Sequence, residues 1–187
     1  MLTKTIAKLS FRIMERIARK SGSATTDLIV DHELKGVTPE MIDWWWDNID
    51  NTERYKLWHP KDHKSFIWEK PPTNGHVGTV QSVIETVKFP TLLRIRWEDI
   101  NSIPISADYK HVLAASVLNR NDEPIAWLLH EYGALQNGTQ LRTTFRLPAK
   151  VPQWFVKALR EHNIGEIGEF ANFLPELYEE NRRFNRS

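Results

Sequence analysis

Three groups of histidines supply most of the chemistry available to this 187-residue sequence. The first is His162-Asn163-Ile164-Gly165-Glu166. On a helix, positions four apart share a face, so His162 and Glu166 bring a nitrogen and an oxygen to one point. Both atoms suit zinc, although a solvated surface pair has the same spacing. Gly165 and Gly168 each cost about 1 kcal/mol relative to Ala inside a helix. They mark either a close approach by a ligand or another element, or a break between two helices. The second group is Trp58-His59-Pro60-Lys61-Asp62-His63. Pro60 fixes a turn and biases His59 towards extended backbone. One imidazole here can ligate a metal while Asp62 or His63 orients it or handles a proton; a polar loop with incidental histidines is the plainer reading. The third is His130-Glu131-Tyr132, at the end of the apolar run Ile125 to Leu129. A histidine on a cavity-facing strand exchanges protons near neutral pH, and a satisfied core histidine looks the same in sequence. Glu85 sits inside Val83-Ile84-Glu85-Thr86-Val87. If it points inward it needs a cation or a hydrogen-bond partner; if outward, it needs neither.

The rest of the chain has to position these groups. At 41% apolar content, with eight Trp and eight Phe, it has material for a sizeable aromatic core and a lined pocket. The net charge of +1 argues against a general nucleic-acid footprint. With no cysteine, a disulfide framework, Cys-ligated zinc and thiol catalysis are excluded, and a reducing, cytoplasmic setting is expected. No apolar run reaches the roughly 18 residues of a membrane span.

Leu2, Ile6, Leu9, Ile13, Met14 and Ile17 recur at helical spacing among Lys4, Lys8, Arg12, Arg16, Arg19 and Lys20. The pattern is a basic amphipathic helix. It packs on its own domain or on a second copy of the chain, or else serves as a membrane-surface or targeting helix. Ser21-Gly22-Ser23 reads as a linker, so residues 1–24 form a helix with its linker and residues 25–187 the main domain.

Asp27 to Gly36 is mixed and yields no clear element. Thr38-Pro39-Glu40 opens a helix: Thr38 caps, Pro39 suits the first turn, and Glu40 faces the positive end of the dipole. Trp44, Trp45 and Trp46 follow in it and cannot all point one way. Short β-rich runs come next, at Phe66–Trp68, Val77–Val87, Leu92–Trp97, Val112–Leu118, Ile125–Leu129 and Thr139–Leu147. Turn signals separate them, among them Pro71-Pro72-Thr73-Asn74-Gly75 and Gln136-Asn137-Gly138. The tail returns to helix in two runs, with a bend expected at Pro175. An early helix, a meandering antiparallel sheet and a long terminal helix make an α+β helix-grip arrangement, whose cavity suits a small apolar or aromatic ligand.

Two stretches, Gly36 to Trp46 and Arg54-Tyr55-Lys56-Leu57-Trp58-His59-Pro60-Lys61-Asp62-His63, resemble the diacetylphloroglucinol hydrolase family, which includes phloretin hydrolase. Leu129-His130-Glu131, Gly138-Thr139-Gln140-Leu141-Arg142, and His162 to Glu166 leading into Phe173-Leu174-Pro175-Glu176-Leu177-Tyr178 extend the likeness. The resemblance spans about Asp31 to Tyr178. It implies a fold related to pollen-allergen (Bet v 1-like) domains and a divalent metal, zinc by preference, held by two His and two Glu. Carried over by motif, the ligands are His59, Glu85, His162 and Glu166, with His63 competing for the first place and Glu98 as the fallback for Glu85. It further implies a hydrolase that cleaves the carbon–carbon bond between an acyl group and a phenolic ring. His130 would be the proton donor or orienting group, Asp62 a polar pocket residue, and Tyr55 with one of the tryptophans a contact to a small aromatic substrate. Where the family can carry an active-site tyrosine, this chain has Phe145, which opens the question of substrate. The remaining readings are a non-catalytic helix-grip binding protein, or a metal-dependent hydrolase of another carbonyl compound. The short region before the main domain implies a reduced dimerisation or lid element, which leaves a homodimer as a candidate assembly.

Overall fold

A computed structural model describes residues 2–73 and 75–184, with side chains from residue 4 onward. In chain order the elements are α1 (Leu2–Ser21), β1 (Thr25–Lys35), α2 (Pro39–Asn48), α3 (Thr52–Trp58), β2 (His63–Lys70), β3 (Val80–Thr86), β4 (Pro90–Glu98), β5 (His111–Leu118), β6 (Pro124–Leu135), β7 (Gly138–Pro148) and α4 (Gln153–Phe184). Asn74, expected in the break after β2, and the side chain of Leu2 lie outside the described residues.

The seven strands make one antiparallel sheet in the order β1-β7-β6-β5-β4-β3-β2. The sheet wraps the long α4, which is the helix-grip arrangement expected from the element order. Strand β1 covers the mixed segment for which pattern alone gives no element. Leu28, Val30 and Leu34 alternate inward, while Asp27 and Asp31 point out to pair with Arg146 and Arg142 of β7. The alternation is broken by His32 on the inward side, which is why the segment reads as mixed.

Thr38 and Asn51 start α2 and α3. The Thr38 hydroxyl accepts from the Met41 N–H, and the Asn51 side-chain Oδ1 accepts from the Arg54 N–H. Each supplies a bond that the first helical turn cannot make internally. Trp45 and Trp46 go into the core and Trp44 lies at its rim against Tyr178. Every strand adds a buried side chain to the same cluster, from Leu34 and Phe66 to Tyr132 and Leu141, and α4 adds Ile167, Phe170 and Leu174. At α4 the expectation of two runs is corrected. One helix of 32 residues runs through Gly165, Gly168 and Pro175. Helix α1 packs on its own domain, burying Ala7 and Phe11.

Candidate metal centre

The sequence brings four side chains able to ligate a metal near one another through three elements. His63 opens β2 directly after the α3 turn, whose backbone closes with the His63 N–H donating to the His59 carbonyl. Antiparallel pairing sets Glu85 of β3 opposite His63. Helix α4 then presents His162 and Glu166 from one face, one turn apart. His63 is fully buried, and His162 and Glu166 nearly so.

His63 Nε2 lies 3.5 Å from Glu166 Oε2 and 4.0 Å from Glu85 Oε1. His162 Nε2 lies 3.7 Å from Glu166 Oε2 and 3.9 Å from Glu85 Oε2. Neither Nε2 has a hydrogen-bond partner although both are buried. Leaving such atoms unmet is costly. Atoms that each sit about 2.0–2.2 Å from a tetrahedral zinc are roughly 3.3–3.6 Å from one another; the His63–Glu166 pair at 3.5 Å falls in that range, and the other three, at 3.7, 3.9 and 4.0 Å, are wider.

The outer contacts set the protons. His63 Nδ1 is 2.9 Å from the Tyr55 carbonyl, which only accepts, so Nδ1 carries the hydrogen and, in the neutral ring, Nε2 is left with its lone pair. His162 Nδ1 meets Asp62 Oδ2 at 3.2 Å, with the same consequence. The Tyr55 hydroxyl donates to Glu85 Oε1, and Asn163 Nδ2 donates to Glu166 Oε1 at 2.9 Å. Each of the four groups thus has an outer partner that orients it, as ligating histidines and carboxylates usually do. Tyr55 also stacks on His63, with ring centroids 4.0 Å apart.

His59 occupies the neighbouring position. Its Nδ1 accepts from the Asp62 N–H at 3.3 Å, and its Nε2 faces Asp62 Oδ2 at 3.4 Å. The nitrogen nearest the site therefore bears the hydrogen. His59, Asp62 and His162 form one group able to approach a cation, and His63, Glu85 and His162 form the other. The His59 ring stacks on His162 at 4.8 Å. This explains Gly165: a Cβ there would come within 2.9 Å of His59 Nε2. Glu98 is taken up elsewhere, accepting from Arg96 and Ser116.

Charge follows from this packing. Burial alone would raise Glu166, but contact with His63 and the nearby His162 outweigh it and hold its carboxyl at about 2. Burial pulls His162 down, and the carboxylates of Glu166, Glu85 and Asp62 more than reverse that, leaving it raised. Tyr55 is raised well above the usual phenol value by burial and by Glu85. His59 is lowered, first by burial and then by His162.

Glu85, His162 and Glu166 of the cluster line a cavity of about 120 Å³. Trp46, Trp58, Leu113, Phe145 and Phe155 give it apolar walls, with His130 as a further polar group. His130 is fully buried, stacks on Trp46, and binds Thr143 Oγ1 through Nδ1 at 2.8 Å. Burial lowers it to about 4, so it is neutral near pH 7. Its Nε2 is unpartnered.

Sequence reasoning passed over Asn163 and His32. His32 Nε2 donates to Asn163 Oδ1 at 2.9 Å, so a line of contacts runs from β1 through Asn163 to Glu166. The available signals were the three-residue spacing of Asn163 and Glu166, and a histidine in an inward position of an otherwise alternating segment.

A family model described as the DAPG hydrolase PhiG domain matches residues 19–154. Phloretin hydrolase of Eubacterium ramulus is 50% identical over 32 residues, which is 16% of this chain and 12% of that protein. The crystal structure of Ara h 8.0201 superposes with a TM-score of 0.56 at 12% identity, covering 81% of this chain and 98% of that one. The solution structure of KanY protein gives 0.57 at 6% identity, with the same coverages. At these identities the two structures establish the fold, which is Bet v 1-like.

Proposed function

Because the chain belongs to the DAPG hydrolase PhiG domain family, a family of carbon–carbon-cleaving hydrolases, we propose that it hydrolyses the bond between an acyl group and a phenolic ring with the help of a divalent cation. The observation that carries the reading is the convergence of two buried, unpartnered Nε2 atoms and two carboxylates beside the cavity. His63, Glu85, His162 and Glu166 would hold the ion, with zinc favoured by the mixed nitrogen and oxygen donors. Bound there, it would supply a Lewis acid that polarises the acyl carbonyl and makes water acidic enough to attack near neutral pH.

The rest of the chemistry falls to the chain's own residues. A direct aryl carbanion is too unstable to leave. If the phenol first becomes its keto tautomer, the ring carbon gains a proton, and the electron pair of the breaking bond passes to the ring carbonyl. Water oxygen ends on the acyl carbon, giving a carboxylic acid and the deacylated phenol. Neutral His130, with Nε2 free, accepts or returns the hydroxyl proton during tautomerisation. Asp62 and the Tyr55 hydroxyl position His162 and Glu85, and Trp46, Trp58 and Phe145 enclose the ring and exclude water. Phe145 offers no hydroxyl to a substrate oxygen, which favours a substrate with fewer hydroxyl groups than a trihydroxyphenol.

The test is metal analysis of the purified protein together with acetate release from a panel of acetylphenols. Expected are about one equivalent of divalent metal, acetate release abolished by chelator, and loss of both in His162→Ala. Metal-free protein that is indifferent to chelator and to that substitution would overturn the proposal. Turnover of simple esters but of no acylphenol would shift it to a different carbonyl substrate.

A further inference from the structure

The exposed side of α1 has a composition that the catalytic reading does not use. Ala7 and Phe11 are turned into the domain. At about 100° per residue, the opposite side divides along its length. One half carries Ile6, Leu9 and Ile13, with Leu9 58% and Ile13 50% exposed. The other carries Lys8, Arg12, Arg16 and Arg19, all exposed. The helix holds six basic residues and one acid, Glu15. That acid is committed to Arg120, with Nη2 at 2.6 Å from Oε2. The whole chain is only +1, so positive charge is concentrated on this helix.

The surroundings repeat the division. On the apolar side a groove of about 220 Å³ is walled by Ile13, Ile17, Phe89, Trp154 and Phe155. Phe89 and Trp154 are 60% and 53% exposed and meet edge to face at 6.4 Å, forming an aromatic rim from two separate elements. On the basic side a polar groove of about 700 Å³ is lined by Arg12, Arg16, Arg19 and Arg120.

We propose that this face docks on an anionic lipid surface. Apolar side chains and an aromatic rim beside a row of cations match a bilayer interface, where acyl chains lie next to phosphates. Charge decides against a second copy as the occupant, since a two-fold partner would set this row of cations against its own kind. No helix among the described residues is long and apolar enough to cross a membrane, so the contact is peripheral. Met14 and Phe155 line both the apolar groove and the cavity of the metal site. The docked face therefore borders that site, and an apolar molecule dissolved in the bilayer would meet it there.

The experiment is co-sedimentation of the full chain with phosphatidylcholine vesicles, with and without about 30% phosphatidylglycerol. Binding to the anionic vesicles is expected to be at least about tenfold tighter than to neutral ones, and to weaken as salt rises. Leu9→Ser with Ile13→Ser, and separately Arg12→Gln with Arg16→Gln, should each reduce it about tenfold; melting temperatures verify that both variants fold. Equal or absent binding to the two vesicle types overturns the proposal, as does wild-type binding by both variants. Light scattering without vesicles covers the other occupant: a dimer that becomes monomeric in the Leu9/Ile13 variant would assign the face to a second copy.

Discussion

At His59 and His63 the placement of one hydrogen separates two rings that sequence leaves equivalent. Both lie in the same short turn, and either is close enough to join His162. The Tyr55 carbonyl can only accept, so a neutral His63 turns a lone pair towards Glu85 and Glu166. The Asp62 N–H can only donate, so His59 turns an N–H towards the site. His63→Ala is therefore expected to lower zinc affinity by at least about 100-fold, while His59→Ala leaves it within about threefold; Tyr55→Phe, which removes an outer partner, should cost about 10- to 100-fold. Competition titration with a chromophoric chelator measures all three, and the opposite ranking of the two histidines would return the ligand role to His59. Phe145 makes a second prediction at this scale. It lines the cavity and carries no hydroxyl. One added hydrogen bond is worth about 0.5–1.5 kcal/mol net, so Phe145→Tyr should lower KM for a polyhydroxylated acylphenol about two- to tenfold. An unchanged KM on the hydroxylated members of the panel would mean that this position does not touch substrate oxygens.

Among the elements, α4 shows where sequence reading held and where it gave out. The His162 and Glu166 spacing is legible because helical periodicity alone puts both on one face. The strand runs from Val77 onward, the Thr38 cap and the order of elements are legible because alternation and capping are local. Three things were not. The two glycines and Pro175 suggested breaks in a helix that runs unbroken, since packing along the sheet outweighs their local cost. Strand β1 was hidden because His32 occupies an apolar position. The proposed preference for His63 over His59 rests on a backbone carbonyl eight residues away, which no spacing encodes. The two glycines also differ from each other. A Cβ at Gly168 would meet nothing within 4 Å, whereas one at Gly165 would press on His59 Nε2. Gly168→Ala is accordingly expected to stabilise the protein by up to about 1 kcal/mol through helix propensity. Gly165→Ala should gain less, because the His59 ring must leave its place over α4. Thermal denaturation of the two variants compares them, and an equal gain would show that His59 moves aside without cost.

For the molecule as a whole, burying histidines makes stability depend on pH in a direction that can be worked out. His130 has a folded pKa of about 4 against an ordinary value of 6.5, and the cause is burial. Above pH 6.5 the ring is neutral in both states and contributes no pH dependence. Between 6.5 and 4 the unfolded chain binds a proton that the folded chain refuses, so stability falls as pH falls. Below 4 both states are charged and the loss is complete, at about 3 kcal/mol for this one residue. His32 and His59 are also lowered by burial and act in the same sense. His162 is raised, so its contribution is present below pH 6.5 and is lost as pH rises through its folded value. Glu166 acts lower still: its contribution is present above the ordinary value of 4.5 and disappears as pH falls through about 2. The interval from 4.5 to 6.5 therefore belongs to the lowered histidines. Urea unfolding of metal-free protein at steps across that interval should show stability declining towards acid, and His130→Gln, which cannot titrate, should flatten the decline by the larger part of its His130 share. A slope unchanged in that variant would mean that His130 already takes up its proton in the folded protein. Its place as a neutral group in the proposed tautomerisation would then fail with it.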